Sequence, residues 1–108
     1  METNQNVILP LTKELILEAL MDVIDPEFPV SVVDLGLIYD VKIIDNWVGV
    51  KMTMTTPGCG MQNVIANNVR HRVKIIPGVS DADVRIVWQP TWTPSMMSAF
   101  AKEKLKMK

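Results

Sequence analysis

Apolar residues recur along this chain with two different periods, and the switches between them divide it into elements. In residues 12–24, TKELILEALMDVI, the apolar positions are Leu15, Ile16, Ala19, Leu20, Val23 and Ile24, one face of a helix. Thr12 is the expected N-cap, with Leu11 stapling to Ile16 across it. Asp25 precedes a proline and so avoids helical backbone, which stops the helix there. In residues 37–44, LIYDVKII, the period drops to two, with Leu37, Tyr39, Val41 and Ile43 on one side. Residues 47–55, WVGVKMTMT, alternate likewise through Val48, Val50, Met52 and Met54. Asp45-Asn46 between these runs are good two-residue turn formers, so the pair predicts a β-hairpin with one covered and one more polar face.

The helical period returns over residues 61–75, with an inner stripe of Met61, Val64, Ile65, Val69, Val73 and Ile76. Gln62, Asn63, Asn67, Arg70, His71 and Lys74 fall mostly outside it, and Pro77-Gly78 ends the helix. Residues 83–88, DVRIVW, predict a third strand through Val84, Ile86 and Trp88. A proline-bounded loop, QPTWTP, leads to a last helix capped by Ser95 and rich in lysine toward its end. Strands two and three flank a helix, so they should run parallel with a right-handed crossover. The expected fold is α/β (α+β): a two-layer sandwich, order α-β-β-α-β-α, with helices on one face of a small mixed sheet. The 108 residues suit one domain spanning 1–108, with residues 1–10 as a flexible tail.

Composition narrows the function classes. No apolar run approaches the roughly 18 residues that cross a bilayer, and the start lacks the pattern of a signal peptide. A soluble cytoplasmic protein is expected. The net charge of −1 conceals an imbalance: residues 1–58 carry nine acids and three bases, and residues 59–108 carry three acids and eight bases. Two differently charged faces of one body account for it.

The chemistry concentrates on TTPGCGM, residues 55–61, which hold the chain's single cysteine. One cysteine excludes an internal disulfide. Cys59 is expected at a strand–helix turn, where a helix N-terminus favours a thiolate and Gly58 and Gly60 leave it open. Free cysteines are also commonly buried and inert, so position alone leaves both readings open. His71, the only histidine, lies twelve residues on within the same predicted helix. That is on the order of 18 Å away, out of reach for a Cys–His nucleophile. His71 and its arginine neighbours read instead as a solvated face. A complete iron–sulfur or structural zinc site takes about four ligands, which one cysteine cannot supply. Asp25, Glu27 and Asp34, in the long loop DPEFPVSVVDLG, are oxygen donors and hard partners for a thiophilic metal. Transient metal or cluster handling, cluster bridging with a partner, or a covalent thiol step remain.

ILEALMDVIDPEFPVSVVDLGLIYDV, then MTMTTPGCG, then VWQPTWTPSMMS, resemble the SufT/PaaD-type family of iron–sulfur cluster assembly proteins. The resemblance runs from about Leu15 to Ala101, and its specificity lies in the ordered combination of motifs. It implies a role in maturing iron–sulfur proteins rather than an enzyme's turnover. The implied functional thiol is Cys59, a transient metal ligand, supported by Asp34, Glu27 and Thr55, with Trp92 in the family's tryptophan–proline segment. No permanently bound cofactor is implied, only a passing iron–sulfur cluster or iron. The implied partners are the assembly machinery and apoprotein targets, with no membrane. A homodimer sharing a metal between two Cys59 thiols is left open. Each residue also has a plain structural reading: Asp34 bonding loop N–H groups, Thr55 completing the turn, Trp88, Trp92 and the methionines packing. Two departures stand out. Gly60 replaces the family's usual proline, and the cysteine-rich C-terminal extension of the PaaD branch is missing, which points to the stand-alone SufT-like branch.

Two rival readings exist. The element order resembles a KH-type nucleic-acid module, but the glycines have the wrong spacing and the pI of about 5.7 is not that of a basic domain. A thiol-dependent enzyme would lack a resolving cysteine and a nearby base.

Overall fold

The computed structural model describes residues 10–26, 28–55 and 62–105. Helix α1 spans Lys13–Leu20, and Thr12 caps it as expected: its Oγ1 accepts the Leu15 N–H at 3.1 Å. Strands β1 (Ile38–Ile44) and β2 (Trp47–Met52) form the hairpin, closed by Asp45 in the left-handed region at φ 52°. Helix α2 (Gln62–Lys74) crosses over to β3 (Asp81–Ile86), a short 3-10 helix covers Pro94–Met96, and α3 spans Ala99–Leu105. The sheet order is β1-β2-β3, with the first pair antiparallel and the second parallel. The small mixed α/β sheet of the expectation is therefore present.

The alternation of the strands sorts their side chains into two layers. Val41, Val48, Val50, Met52 and Ala82 are buried, and they meet Ile16, Leu20, Ile65, Val69 and Val73 from α1 and α2. Burying each of the larger of these side chains contributes about 1.5–3 kcal/mol before entropy is counted, above what a surface ion pair supplies. Between Ile38 and Asp40 the β1–β2 register shifts, leaving Tyr39 as the extra residue of a bulge.

Several boundaries differ from the expectation. Helix α1 ends at Leu20 rather than near Asp25. The Val23 carbonyl accepts the Val32 N–H at 2.9 Å, and the Asp25 N–H bonds the Val30 carbonyl at 3.0 Å. The Val23 carbonyl and the Asp25 N–H thus bond across the loop instead of along a helix, and Ile24 turns outward at 51% exposed. Strand β3 starts two residues early because its pairing begins level with the hairpin turn, Trp47 facing Asp81. It ends level with Met52, which leaves Trp88 beyond the sheet and exposed. Val64 sits one step off the buried stripe of α2 and is 46% exposed. Ser98, not Ser95, caps the last helix: its Oγ accepts the Ala101 N–H at 3.1 Å. Met52, Met54 and Met97 are core residues, whereas Met96 is exposed and Met61 lies outside the described residues.

The basic run of α2 is more than a solvated face. Arg72 Nε donates to Asp22 Oδ2 at 3.1 Å, joining α2 to the turn after α1. Arg70 Nε donates to the Ala82 carbonyl at 2.9 Å and Nη2 reaches Asp81 Oδ1 at 3.3 Å. Only His71 between them is exposed without such a tie.

Gly36 has φ +80°, and a Cβ there would run into the carbonyl oxygen of Met96. Gly36→Ala is therefore expected to lower stability by about 2 kcal/mol or more, read as a reduced urea midpoint. An unchanged midpoint would contradict the contact. A second expectation concerns Asp81. The Ala82 N–H holds its carboxyl below the ordinary value; desolvation opposes this, and Lys74 and Arg70 add to it. A depressed carboxylate stabilises the fold above the ordinary value near 4, and that contribution is lost as pH falls through its folded value. The gap in urea midpoint between the wild type and Asp81→Asn should be widest at neutral pH and close on acidification.

Candidate functional site

Antiparallel pairing brings the start of β1 beside the end of β2, and parallel pairing brings the end of β3 to the same place. The Thr53 N–H donates to the Leu37 carbonyl at 2.9 Å and the Val87 N–H to the Met52 carbonyl at 2.8 Å. The hairpin turn lies at the opposite end, where the Ser80 N–H donates to the Asn46 carbonyl at 2.8 Å. Thus the acidic loop before β1, the chain after β2 and the tryptophan–proline segment after β3 all leave one end of the sheet. The carboxyl ends of parallel strands are where open α/β sheets commonly bind ligands.

The acidic loop is ordered by its own polar side chains. Asp25 is 4% exposed and its Oδ1 accepts the Phe28 N–H at 3.0 Å. That is the backbone-binding role the sequence offered for Asp34. Asp34 is half-buried and works differently: its N–H donates to Ser31 Oγ at 3.0 Å, and the Ser31 hydroxyl lies 3.3 Å from its Oδ2. Its carbonyl accepts the Ser98 N–H at 2.7 Å, which ties the loop to the start of α3.

The segment after β3 closes over this loop. Trp92 is half-buried against the core, and its Nε1 donates to the Leu35 carbonyl at 2.7 Å. The bulged Tyr39 donates its phenol to the Pro90 carbonyl at 2.7 Å, with Met96 Sδ 3.6 Å away. Burial pushes the Tyr39 phenol up, and a hydrogen bond with the Thr53 side chain acts the other way. Thr53 itself is 1% exposed, two residues before the half-buried Thr55.

Of the four residues put forward from the sequence, the structure sets Asp34 and Thr55 at this sheet end, one ahead of β1 and one past β2. Cys59 and Glu27 lie outside the described residues. Sequence reasoning placed the buried Asp25 in the loop without choosing it for the site; the following proline was its signal. Tyr39 and Thr53 were missed, because both occupy positions that simple alternation treats as routine strand. The described polar groups here are mostly carboxylates, hydroxyls and carbonyls, which are hard donors, with the Met96 thioether as a soft one. Among the described residues no three His, Cys, Asp or Glu side chains are grouped to hold a metal, and no helix is long and apolar enough to cross a membrane.

Residues 13–86 match the sequence profile of a family described as iron–sulfur cluster assembly protein. The iron–sulfur protein maturation auxiliary factor YitW of Bacillus subtilis is 43% identical over 91 residues, covering 83% of this chain and 89% of that one. The maturation auxiliary factor SufT of Staphylococcus aureus is 46% identical over 81 residues, 74% of this chain and 92% of that one. Among solved structures, a domain of unknown function from Bacillus anthracis superposes with a TM-score of 0.84 at 37% identity, covering 89% of this chain and 92% of the other.

Trp92→Phe keeps the ring and removes the donor to Leu35. The orphaned carbonyl should cost about 1 kcal/mol, and amide exchange at Gly36 and Leu37 should quicken while β2 amides hold their protection. Equal exchange in the loop would show that the indole bond does not hold it.

Proposed function

The chain belongs to the iron–sulfur cluster assembly protein family, and from that premise we propose that it is an auxiliary factor that helps mature iron–sulfur proteins through a single thiol, Cys59. The observation that carries this reading is the match, in sequence and over nearly their full length, to relatives named as maturation auxiliary factors. In this reading the protein works in the cytoplasm, performs no turnover of its own, and meets the assembly machinery on one side and apoprotein targets on the other.

The chain's chemistry sets the terms. One cysteine offers one soft ligand, and a cluster takes about four. A cluster passing over this protein is therefore cargo, sharing Cys59 with thiolates of the donor or the acceptor. Such a shared state is short-lived by design, because the partner's remaining thiolates can displace a single ligand. Chain order supports the choice of thiol. Cys59 follows Thr55 by four residues and precedes Gln62, the first residue of α2, by three. A helix N-terminus lowers the pKa of a thiol close to it and keeps the attacking or ligating form populated. In this reading Asp34, Thr55 and Glu27 are the polar side chains that support the thiol.

The test is Cys59→Ser in cells lacking the wild-type copy. Activity of an iron–sulfur enzyme that depends on this factor should fall to the level of the deletion strain. The purified variant should keep its circular dichroism and unfolding midpoint. Full enzyme activity in the variant strain would defeat the single-thiol reading.

A further inference from the structure

The core uses one face of the sheet, and neither α1 nor α2 covers the other. Each strand places a cation on that open face: Lys42 from β1, Lys51 from β2 and Arg85 from β3. Lys51 and Arg85 are register partners, side by side on adjacent strands. Like charges so placed destabilise a sheet unless something answers them. Asp40, the register partner of Lys51 on its other side, is already paired with Lys13 at 3.7 Å. Among the described residues Lys42, Lys51, Arg85 and Asp83 make no ion pair. Three unanswered cations therefore stand beside one unanswered anion, on a chain whose net charge is −1.

The same face has shape. Gly49 is the middle residue of β2's open side, and the Trp47 ring lies across it: a Cβ on Gly49 would stand 2.6 Å from Trp47 Cη2. The charged side chains rise around this aromatic patch and enclose a shallow hollow of about 190 Å³. Neither Asp34 nor Thr55 lines it.

We propose that this open sheet face is a docking surface for an acidic segment of a partner protein. Lys51 and Arg85 receive its carboxylates, and the Trp47 ring receives an apolar side chain. Charge complementarity selects this occupant. A phosphate backbone would meet Asp40 and Asp83 inside the same hollow, whereas a polypeptide can set a basic or neutral side chain against them. A second copy docking face to face would lay a net positive surface on itself. The inference goes beyond the maturation reading and does not rest on it.

The experiment titrates a short synthetic peptide of alternating glutamate and leucine into the isotope-labelled full chain, followed by amide and indole resonances. The Trp47 indole and the Gly49, Lys51 and Arg85 amides should shift together, and the shifts should weaken as salt is raised. Affinity should fall at least tenfold in Lys51→Glu/Arg85→Glu, and by a smaller factor in the milder Lys51→Gln/Arg85→Gln, which guards against a folding defect. Cys59→Ser should bind as the wild type does, which separates this surface from the thiol. Unchanged affinity in both double variants, or shifts confined to other residues, would overturn the proposal. So would tighter binding of oligothymidylate on this face, or the same shifts produced by protein concentration alone.

Discussion

Two carbonyl groups of an irregular loop, those of Asp34 and Leu35, hold one end of this structure together. A loop that enters no sheet must still find donors for its backbone oxygens. Here the donors come from the far end of the chain: the Ser98 N–H serves Asp34 and the Trp92 indole serves Leu35. Gly36 completes the junction, because only a residue without a Cβ lets the 3-10 helix around Met96 approach so closely. The acidic loop, the first residues of β1 and the base of α3 take their positions from these bonds. With these bonds in place the loop can be long and still hold Asp34 in a fixed position.

The helical layer is set differently. Burial of aliphatic side chains supplies its energy, and the arginines of α2 supply direction. Arg72 reaches an Asp22 that is 70% exposed, so the pair is worth at most about 1 kcal/mol. Its bond with Arg70's hold on the Ala82 carbonyl nevertheless fixes how α2 is rotated between α1 and β3. The excess of acid in the first half and of base in the second is partly spent on this joint.

The sequence was most legible where side-chain period alone decides structure. The hairpin, its turn, the covered faces of both strands and the parallel third strand follow from alternation and connection length. Legibility failed where backbone bonds compete with pattern. Apolar periodicity carries α1 on to Ile24, yet residues 23–25 bond across to residues 30–32. Asp81 belongs to β3 although nothing apolar marks it, since register with β2 and not hydrophobicity sets where the strand begins. At the candidate site, the place of the acidic loop ahead of β1 and of Thr55 past β2 could be read from residue order. The roles of Asp25 and Asp34 could not, because two aspartates in one loop differ only in which donors the fold turns toward them. Arg70 and Arg72 looked solvated for the same reason: their partners lie on other elements.

The sheet's central strand has a temporal consequence. β2 pairs with β1 across a two-residue turn, but with β3 only across a connection that contains all of α2, Trp47 meeting Asp81. As the chain leaves the ribosome the hairpin can close at once, while the other edge of β2 stays bare until residues 81–86 emerge. During that interval Val48, Val50 and Met52 lie on a half-built sheet with an unsatisfied rim, the arrangement most prone to pairing with a neighbouring nascent chain. The topology that gathers three segments at one end of the sheet also leaves β2 half-paired until β3 docks.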